Sequence, residues 1–148
     1  MAEARSIEQR KADTLATLAA VEADVWVASA SSDGMPHLVP LSYAWVDDEI
    51  VIALDASSKT AVNIERAGTA RLGFGPTRDV IMMDVALGTI EPAGSSTVAD
   101  AYATQAVWDP RGMAGMVFIR LRPTRIQAWR EENELRDRTL MSNSVWRV

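Results

Sequence analysis

The sequence predicts a mainly β fold, a small β-barrel of about six strands with flanking helices. Short segments of alternating apolar and polar residues recur along the chain, and clusters of turn residues such as Asp33-Gly34 separate them. Three other segments have the start signals of helices. The 148 residues contain no repeat or linker, so we expect one domain over 1–148, with an N-terminal helix in 1–22 and a polar tail in 131–148.

The first half of the chain is predicted to form a helix and a three-stranded meander. Ser6 begins a Ser-Ile-Glu-Gln capping box, which predicts a helix from Ser6 to about Val21. Turn signals at 32–34 and 47–48 then divide a β-rich segment. The predicted strands cover 25–30, 36–46 and 49–55.

The second half alternates short helices and strands. A helix over 61–67 ends at Gly68, and a second helix is predicted from the capping box at Thr97 to about Trp108. Strands are predicted over 69–74, over 80–91 with a bend near Gly88, and over 116–121 and 125–129 as one strand or a pair interrupted at Pro123.

Composition excludes several function classes. With 20 acidic and 15 basic residues the net charge is −5, which argues against a dedicated binder of nucleic acid or anionic membranes. No apolar run approaches the roughly 18 residues of a membrane span. The charged N-terminus lacks the apolar core of a secretory signal, so we expect a cytoplasmic protein. Because the chain has no cysteine and one histidine, we expect neither a disulfide, nor a thiolate nucleophile, nor a metal site.

The strongest local chemical signal is Ser57-Ser58-Lys59-Thr60, between a predicted strand and a predicted helix. Three hydroxyls and an ammonium beside the free N–H groups of a helix N-terminus are suited to holding a phosphate. The glycines of a Walker loop are absent. The alternative is an ordinary helix cap followed by an exposed lysine.

Other polar and aromatic residues favour structural interpretations. His37 has no acidic partner nearby in sequence, and Asp47-Asp48-Glu49 falls on a predicted hairpin turn. Tyr43 and Trp45 share a strand face and indicate a core or interface stripe. No nucleophile motif accompanies the single histidine, so no catalytic residue is identified.

A basic cluster near the last strand permits two interpretations. Alternation places Arg120 and Arg122 on one strand face, with Arg125 and Arg130 nearby. These residues form either a charged outer face or a rim that attracts a negatively charged ligand.

Taken in order, these segments resemble the pyridoxamine 5′-phosphate oxidase-like split-barrel family from about Val25 to Trp146. The resemblance rests on the strand 25–31, Asp33–Pro36, His37–Ser42, Ile50–Leu54, Ser57–Thr60 and Asn63-Ile64, and on Pro123, Ile126, Trp129 and Leu135–Arg138 near the C-terminus.

This resemblance implies an FMN-binding-protein-like split β-barrel that binds flavin or the deazaflavin F420. It implies a homodimer with cofactor sites at the subunit interface, to which the partner subunit's Trp129 and the partner's Arg138 contribute. The cofactor-binding residues that it implies are His37, Leu38, Val39, Pro40, Leu41, Ser42, Ile52, Ala53, Ser57, Ser58, Lys59, Thr60, Trp129 and Arg138.

The sequence also departs from the family pattern. His37, Ser42 and Ser58 stand where the oxidases hold basic residues, and Glu134 replaces an arginine that grips the vitamin phosphate. A carboxylate facing that phosphate would repel it, so we do not expect vitamin B6 oxidation.

The resemblance instead favours an F420-dependent oxidoreductase that transfers a hydride between the cofactor and a small organic substrate. The alternatives are an FMN-binding oxidoreductase of the same family, a non-catalytic flavin- or haem-binding protein and, less favoured, a purely structural dimer.

Overall fold

The computed structural model describes residues 1–148. The helices are α1 (Ile7–Leu18), α2 (Lys59–Ala67) and α3 (Thr97–Ala106), and Glu132–Glu134 forms a short 3-10 helix. The strands are β1 (Asp24–Ala30), β2 (Pro36–Ser42), β3 (Ala44–Val46), β4 (Glu49–Asp55), β5 (Thr69–Phe74), β6 (Val80–Pro92), β7 (Met116–Trp129), β8 (Thr139–Ser142) and β9 (Val145–Trp146). None of the helices is long and apolar enough to cross a membrane.

All strands join one antiparallel sheet in the order β2-β1-β5-β6-β7-β4-β3, with β8 paired to β7 and β9 to β8. The sheet curls until β2 approaches β4 without pairing to it, which leaves a seam in the barrel. The predicted β-barrel with flanking helices is therefore confirmed as a split barrel. It has nine strands rather than about six.

Two of the additional strands come from the predicted polar tail. Leu140 and Met141 of β8 are buried and belong to the main core, so this part of the predicted polar tail is packed into the fold. The third comes from the segment 36–46, which divides at Tyr43. Residues before Tyr43 pair with β1 and those after it pair with β4, so one segment supplies both ends of the sheet.

Pro123 does not interrupt the last long strand. Pro123 lies within β7 and pairs with Val85 of β6. The register then shifts, so that Thr124 has no opposite residue. This shift is a β-bulge, which moves the following side chains to the other face of the sheet. A second shift lies at Gly88, where a bend was predicted.

The helix ends follow their predicted capping residues with one exception. Ser6 accepts a hydrogen bond from the Gln9 N–H at 3.1 Å, and Gly68 ends α2 in the left-handed region. Ser96, rather than Thr97, caps α3 by accepting from the Ala99 N–H. That helix ends before Trp108 because Val107 adopts a positive φ of 56°.

Strand β4 is buried on both faces. Ile50, Ile52 and Leu54 belong to the core inside the barrel. Val51 and Ala53 point the other way and pack beneath α3 with its Tyr102. Burial on both sides explains the unbroken apolar run of this strand.

A buried ionic cluster joins the two ends of the chain. Glu134 is 2% exposed, and its carboxylate accepts hydrogen bonds from Nε and a terminal nitrogen of Arg5 at 3.0 and 2.8 Å. The backbone N–H groups of Arg5 and Arg130 donate to the same carboxylate. Arg5 also contacts Asp13 at 2.8 Å. These contacts lower the pKa of Glu134 from its ordinary value of 4.5 to about 2.

Replacing Glu134 should measure how much this ionic cluster contributes to the stability of the fold. Glu134→Gln leaves Arg5 partly buried without its main partner, so the free energy of unfolding should fall by about 3 kcal/mol. Urea denaturation at pH 7 measures the loss. The exposed Glu132, in the same short helix, supplies the control Glu132→Gln, which should change stability by less than about 0.5 kcal/mol.

The same group predicts a pH dependence. Its folded-state pKa lies below its ordinary value, so the stabilisation is complete above about pH 4.5 and is lost as the pH falls towards 2. Acid titration followed by circular dichroism should show a steeper loss of stability for the wild type than for Glu134→Gln. Parallel acid titrations of the two proteins would contradict the assignment.

Candidate functional site

The N-terminus of α2 is formed by a capped turn that follows β4. The Ser58 hydroxyl accepts from the Ala61 N–H at 3.2 Å, and the Ser58 N–H donates to the Asp55 carbonyl oxygen at 3.1 Å. In a helix that starts at Lys59, the N–H groups of Lys59 and Thr60 have no acceptor within the helix. Two backbone donors therefore remain at this turn.

Charge at the turn comes from Lys59 and Asp55. Lys59 is exposed and forms no salt bridge. Asp55 accepts from the Ser57 hydroxyl at 2.6 Å and from the Ser57 N–H at 2.8 Å, and these bonds hold the pKa of Asp55 below its usual range. The ammonium is free for a ligand, while the carboxylate orders the turn.

The four predicted residues of this turn separate into two groups. Ser57, Ser58 and Lys59 are exposed or half-buried. Thr60 is 3% exposed, so the structure does not bring its hydroxyl to the surface beside the other predicted residues. Thr60 retains only its backbone N–H for binding.

Strand β2 presents its predicted residues alternately. Leu38 and Pro40 are exposed on the outer face of the sheet, opposite Ala28 and Trp26. Val39 and Leu41 are half-buried and pack against the main core. At the ends of the set, His37 and Ser42 are half-buried, and the Ser42 hydroxyl lies 3.4 Å from Asp24 Oδ1.

Ile52 and Ala53 of β4 are not available through their side chains. Ile52 is fully buried inside the barrel, and Ala53 lies under α3 at 5% exposure. The predicted place of both residues near the cofactor therefore stays a prediction that concerns their backbone. Strand β3 pairs with β4 only as far as Val51, which leaves the backbone of Ile52 and Ala53 unpaired on that edge of β4. Any contact that Ile52 and Ala53 make with a ligand is therefore made through this backbone edge.

Trp129 and Arg138 lie together, far from the α2 turn. The Arg138 guanidinium carbon is 5.5 Å from the centroid of a Trp129 ring, a cation–π arrangement. Met116 pairs with Asp55 at one end of β7 and Trp129 pairs with Val80 at the other. Trp129 and the Asp55 that precedes the α2 turn therefore lie at opposite ends of this 14-residue strand.

The outer face of the sheet carries an apolar groove that sequence reasoning missed. The groove has a volume of about 360 Å³ and lies over β1, β5 and β6. Trp26 is 52% exposed and Leu38 is 60% exposed beside Gly73 and Met82. The signal was present in the alternation of β1, because Trp26 has the opposite parity to the buried Val25 and Val27.

Several other candidates have structural roles. The Tyr43 hydroxyl donates to the Thr17 carbonyl oxygen at 2.6 Å, and burial raises the pKa of Tyr43 to about 12, which makes it a poor proton donor. Trp45 is half-buried and packs against the core. Glu134 is enclosed by Arg5 and does not face an open site, which corrects the basis for excluding a vitamin phosphate.

The predicted basic cluster contains two paired and two unpaired arginines. Arg120 is paired with Glu49 at 2.7 Å, and Arg130 with Asp79 at 3.1 Å. Arg122 and Arg125 are exposed and form no salt bridge. No group of three or more His, Cys, Asp or Glu side chains is arranged to hold a metal ion.

Comparison with known proteins follows the fold. A family model described as pyridoxamine 5′-phosphate oxidase matches residues 7–130. No curated protein sequence matches the chain.

Solved structures with the same fold have diverse names. An F420 reductase has a TM-score of 0.62 at 16% identity, with 74% of this chain and 92% of that chain covered. General stress protein 26 from Bacillus anthracis str. Sterne has a TM-score of 0.64 at 20% identity, with 81% of this chain and 94% of that chain covered. ChuZ from Campylobacter jejuni has a TM-score of 0.75 at 9% identity, and the chain spans 95% of its own length and 65% of that chain. At these identities the likeness demonstrates a shared fold.

The two serines of the turn should differ in their effect on stability. Ser58→Ala removes the helix cap and should lower the free energy of unfolding by about 1 kcal/mol. The exposed Ser57 supplies the matched variant Ser57→Ala, whose effect should stay within about 0.5 kcal/mol. Chemical denaturation measures both, and equal losses would contradict the capping assignment.

Proposed function

The chain belongs to the pyridoxamine 5′-phosphate oxidase family, and from that premise we propose that it is a homodimeric oxidoreductase that uses F420. The enzyme transfers a hydride between the deazaflavin and a small organic substrate. An F420 reductase among the proteins that share its fold supports this choice of cofactor.

The observation that carries the proposal is the unpaired Lys59 at the capped start of α2. An exposed ammonium and two backbone N–H groups provide the donors that a phosphate needs. The Ser58 hydroxyl accepts from Ala61 and still has its own proton to donate. In this proposal Lys59 and Ser58 bind the cofactor phosphate, and Asp55 keeps the turn in shape.

The rest of the cofactor lies along β2 and the seam. Leu38 and Pro40 offer apolar contact, and the free edge of β4 beyond Val51 offers backbone groups. Bound F420 supplies the hydride chemistry, while the protein binds and orients it and excludes water. No side chain is assigned as acid or base, because Tyr43 is buried and already hydrogen-bonded.

The exposed apolar face of the sheet supports the proposed homodimer. Trp26 and Leu38 stand side by side on β1 and β2, and large exposed apolar patches mark interaction surfaces. In the dimer, the partner subunit's Trp129 and the partner's Arg138 reach the cofactor held by Lys59. This arrangement supplies residues that one chain keeps far apart.

FMN is the second candidate cofactor, because Lys59 and Ser58 suit any cofactor phosphate. A non-catalytic flavin- or haem-binding protein is the alternative from another class, and the lack of an accessible acid or base favours it. Bound, reduced cofactor distinguishes the classes. An enzyme speeds its reoxidation when an acceptor is added, whereas a carrier does not.

Lys59→Ala should weaken cofactor binding. Loss of a charge-assisted phosphate contact costs about 1.5–3 kcal/mol, or roughly ten- to a hundredfold in affinity. Titration of F420 and FMN separately, followed by fluorescence, gives the dissociation constants.

Two control variants accompany this titration. One keeps a positive charge at position 59, and the other removes a positive charge elsewhere in the chain. Lys59→Arg retains the cation and should stay closer to wild type. Lys11→Ala removes the other lysine, which lies on α1, and should leave affinity unchanged. Tight FMN binding with the same dependence on Lys59 would assign the flavin. If neither cofactor binds the wild type, the turn is a helix cap only and the proposal fails.

A charge on the outer face should dissociate the dimer. Leu38→Glu places a carboxylate in the apolar face, where it would lose its hydration, so dimer affinity should fall at least tenfold. Sedimentation velocity over a range of concentrations measures this loss. Val145→Glu changes an equally exposed apolar residue on β9 and should leave the dimer intact. A monomeric wild type would refute the interface.

A further inference from the structure

A buried hydrogen bond between two polar side chains joins α2 to β1. Nδ2 of Asn63 donates to the Ser29 hydroxyl oxygen at 3.1 Å, and each residue is 8% exposed. On the same buried side of α2, Ala61 and Ile64 belong to the hydrophobic core. Burial of a carboxamide costs free energy unless it is hydrogen-bonded, a cost that an apolar side chain does not have. Packing alone therefore does not explain a polar residue at position 63.

This bond lies between the two parts of the candidate site, the α2 turn and β2. Lys59 precedes Asn63 by four residues in α2, so the two side chains lie on one face of the helix. Ser29 is the cross-strand partner of His37, and both residues have the parity of the core-facing positions in their strands. Directly opposed residues of an antiparallel pair lie about 5 Å apart. The bond therefore sets the position of the helix that carries Lys59 relative to β2.

The other contacts of α2 constrain this position less. Ala61 and Ile64 hold the helix against the core, but apolar contacts have no direction and permit small shifts and rotations. A terminal nitrogen of Arg66 donates to the Ala30 carbonyl oxygen at 2.7 Å, and this bond is exposed. Hydrogen bonds are directional, and a buried bond does not compete with water. The bond from Asn63 to Ser29 thus supplies the buried, directional constraint on α2.

We propose that Asn63 and Ser29 are positioning residues for a cofactor phosphate, because their hydrogen bond holds α2 so that Lys59 and the free N–H groups of its first turn face β2. Neither side chain touches the phosphate. Since both are uncharged, they set the geometry without changing the electrostatic attraction between Lys59 and the ligand. The inference rests on the proposed function, because it needs a phosphate bound at the α2 turn.

A paired apolar replacement separates positioning from stability. Ser29→Ala alone leaves the buried Asn63 amide without its acceptor and should destabilise the fold. Ser29→Ala combined with Asn63→Leu removes both polar groups, and a paired replacement of this kind can leave stability nearly unchanged. The double variant should still bind F420 or FMN about tenfold more weakly than the wild type, at the lower end of the loss expected for Lys59→Ala. Urea denaturation and fluorescence titration measure the two quantities.

Two comparisons assign the lost affinity to Lys59. Riboflavin and the deazariboflavin core of F420 lack the phosphate, so the double variant should bind them as the wild type does. Added to Lys59→Ala, the double replacement should cause no further loss, because the contact that it misplaces is already absent. Tyr43→Phe is the matched control, since it removes a buried hydrogen bond to the Thr17 carbonyl oxygen and should leave every affinity unchanged.

The outcomes distinguish this inference from the proposed function. If the double variant keeps the wild-type affinity for the phosphate-bearing cofactor, the inference is overturned and the proposed function stands. Losses that add to that of Lys59→Ala, or that Tyr43→Phe reproduces, also overturn it.

A wild type that binds neither cofactor is titrated with pyrophosphate instead. Pyrophosphate binding that depends on both Lys59 and the Asn63–Ser29 pair retains the positioning role and refutes only the proposed cofactor. If pyrophosphate does not bind, or binds equally well to the double variant, the positioning role is refuted too.

Discussion

Burial of β4 on both faces is the constraint on which the rest of the structure depends. Ile52 faces the barrel core and Ala53 faces α3, so the strand is fixed in position and register by packing from two sides. Between Ile50 and Leu54 the strand then has no exposed side chain to offer to a ligand. What it offers is a backbone edge and the turn at its end, where Asp55 leads into the capped start of α2. The candidate binding groups therefore lie where the packing stops.

Ion pairing determines which positive charges remain available. Arg5 forms an ion pair with Glu134 in the buried ionic cluster that joins the two chain ends. Arg120 pairs with Glu49, and Arg71 pairs with Asp84. An arginine held in this way contributes little attraction to an approaching anion, since its charge is already balanced nearby. Lys59 and Arg125 have no such partner. On an acidic chain these unpaired cations are better indicators of a binding surface than the total number of arginines.

Local signals predicted local structure well. The Ser6 cap and the stop at Gly68 each depend on a few neighbouring residues, and both are observed. Features set by packing between distant segments were not predicted. Thr60 is buried because α2 packs against segments that are distant in sequence. Leu140 is buried because β8 pairs with β7. A sequence window that sees only neighbours contains no information on either contact.

The candidate site shows the same division between local and distant information. The residues of the α2 turn are contiguous, so their chemistry was readable, but Trp129 lies at the other end of β7. Met116 and Trp129 are the two ends of β7, so the α2 turn and Trp129 lie at opposite ends of one long strand. In the proposed homodimer, a two-fold axis would present the turn of one copy to the far strand end of the other. The length of β7 is therefore the physical reason for proposing that the partner subunit completes the site.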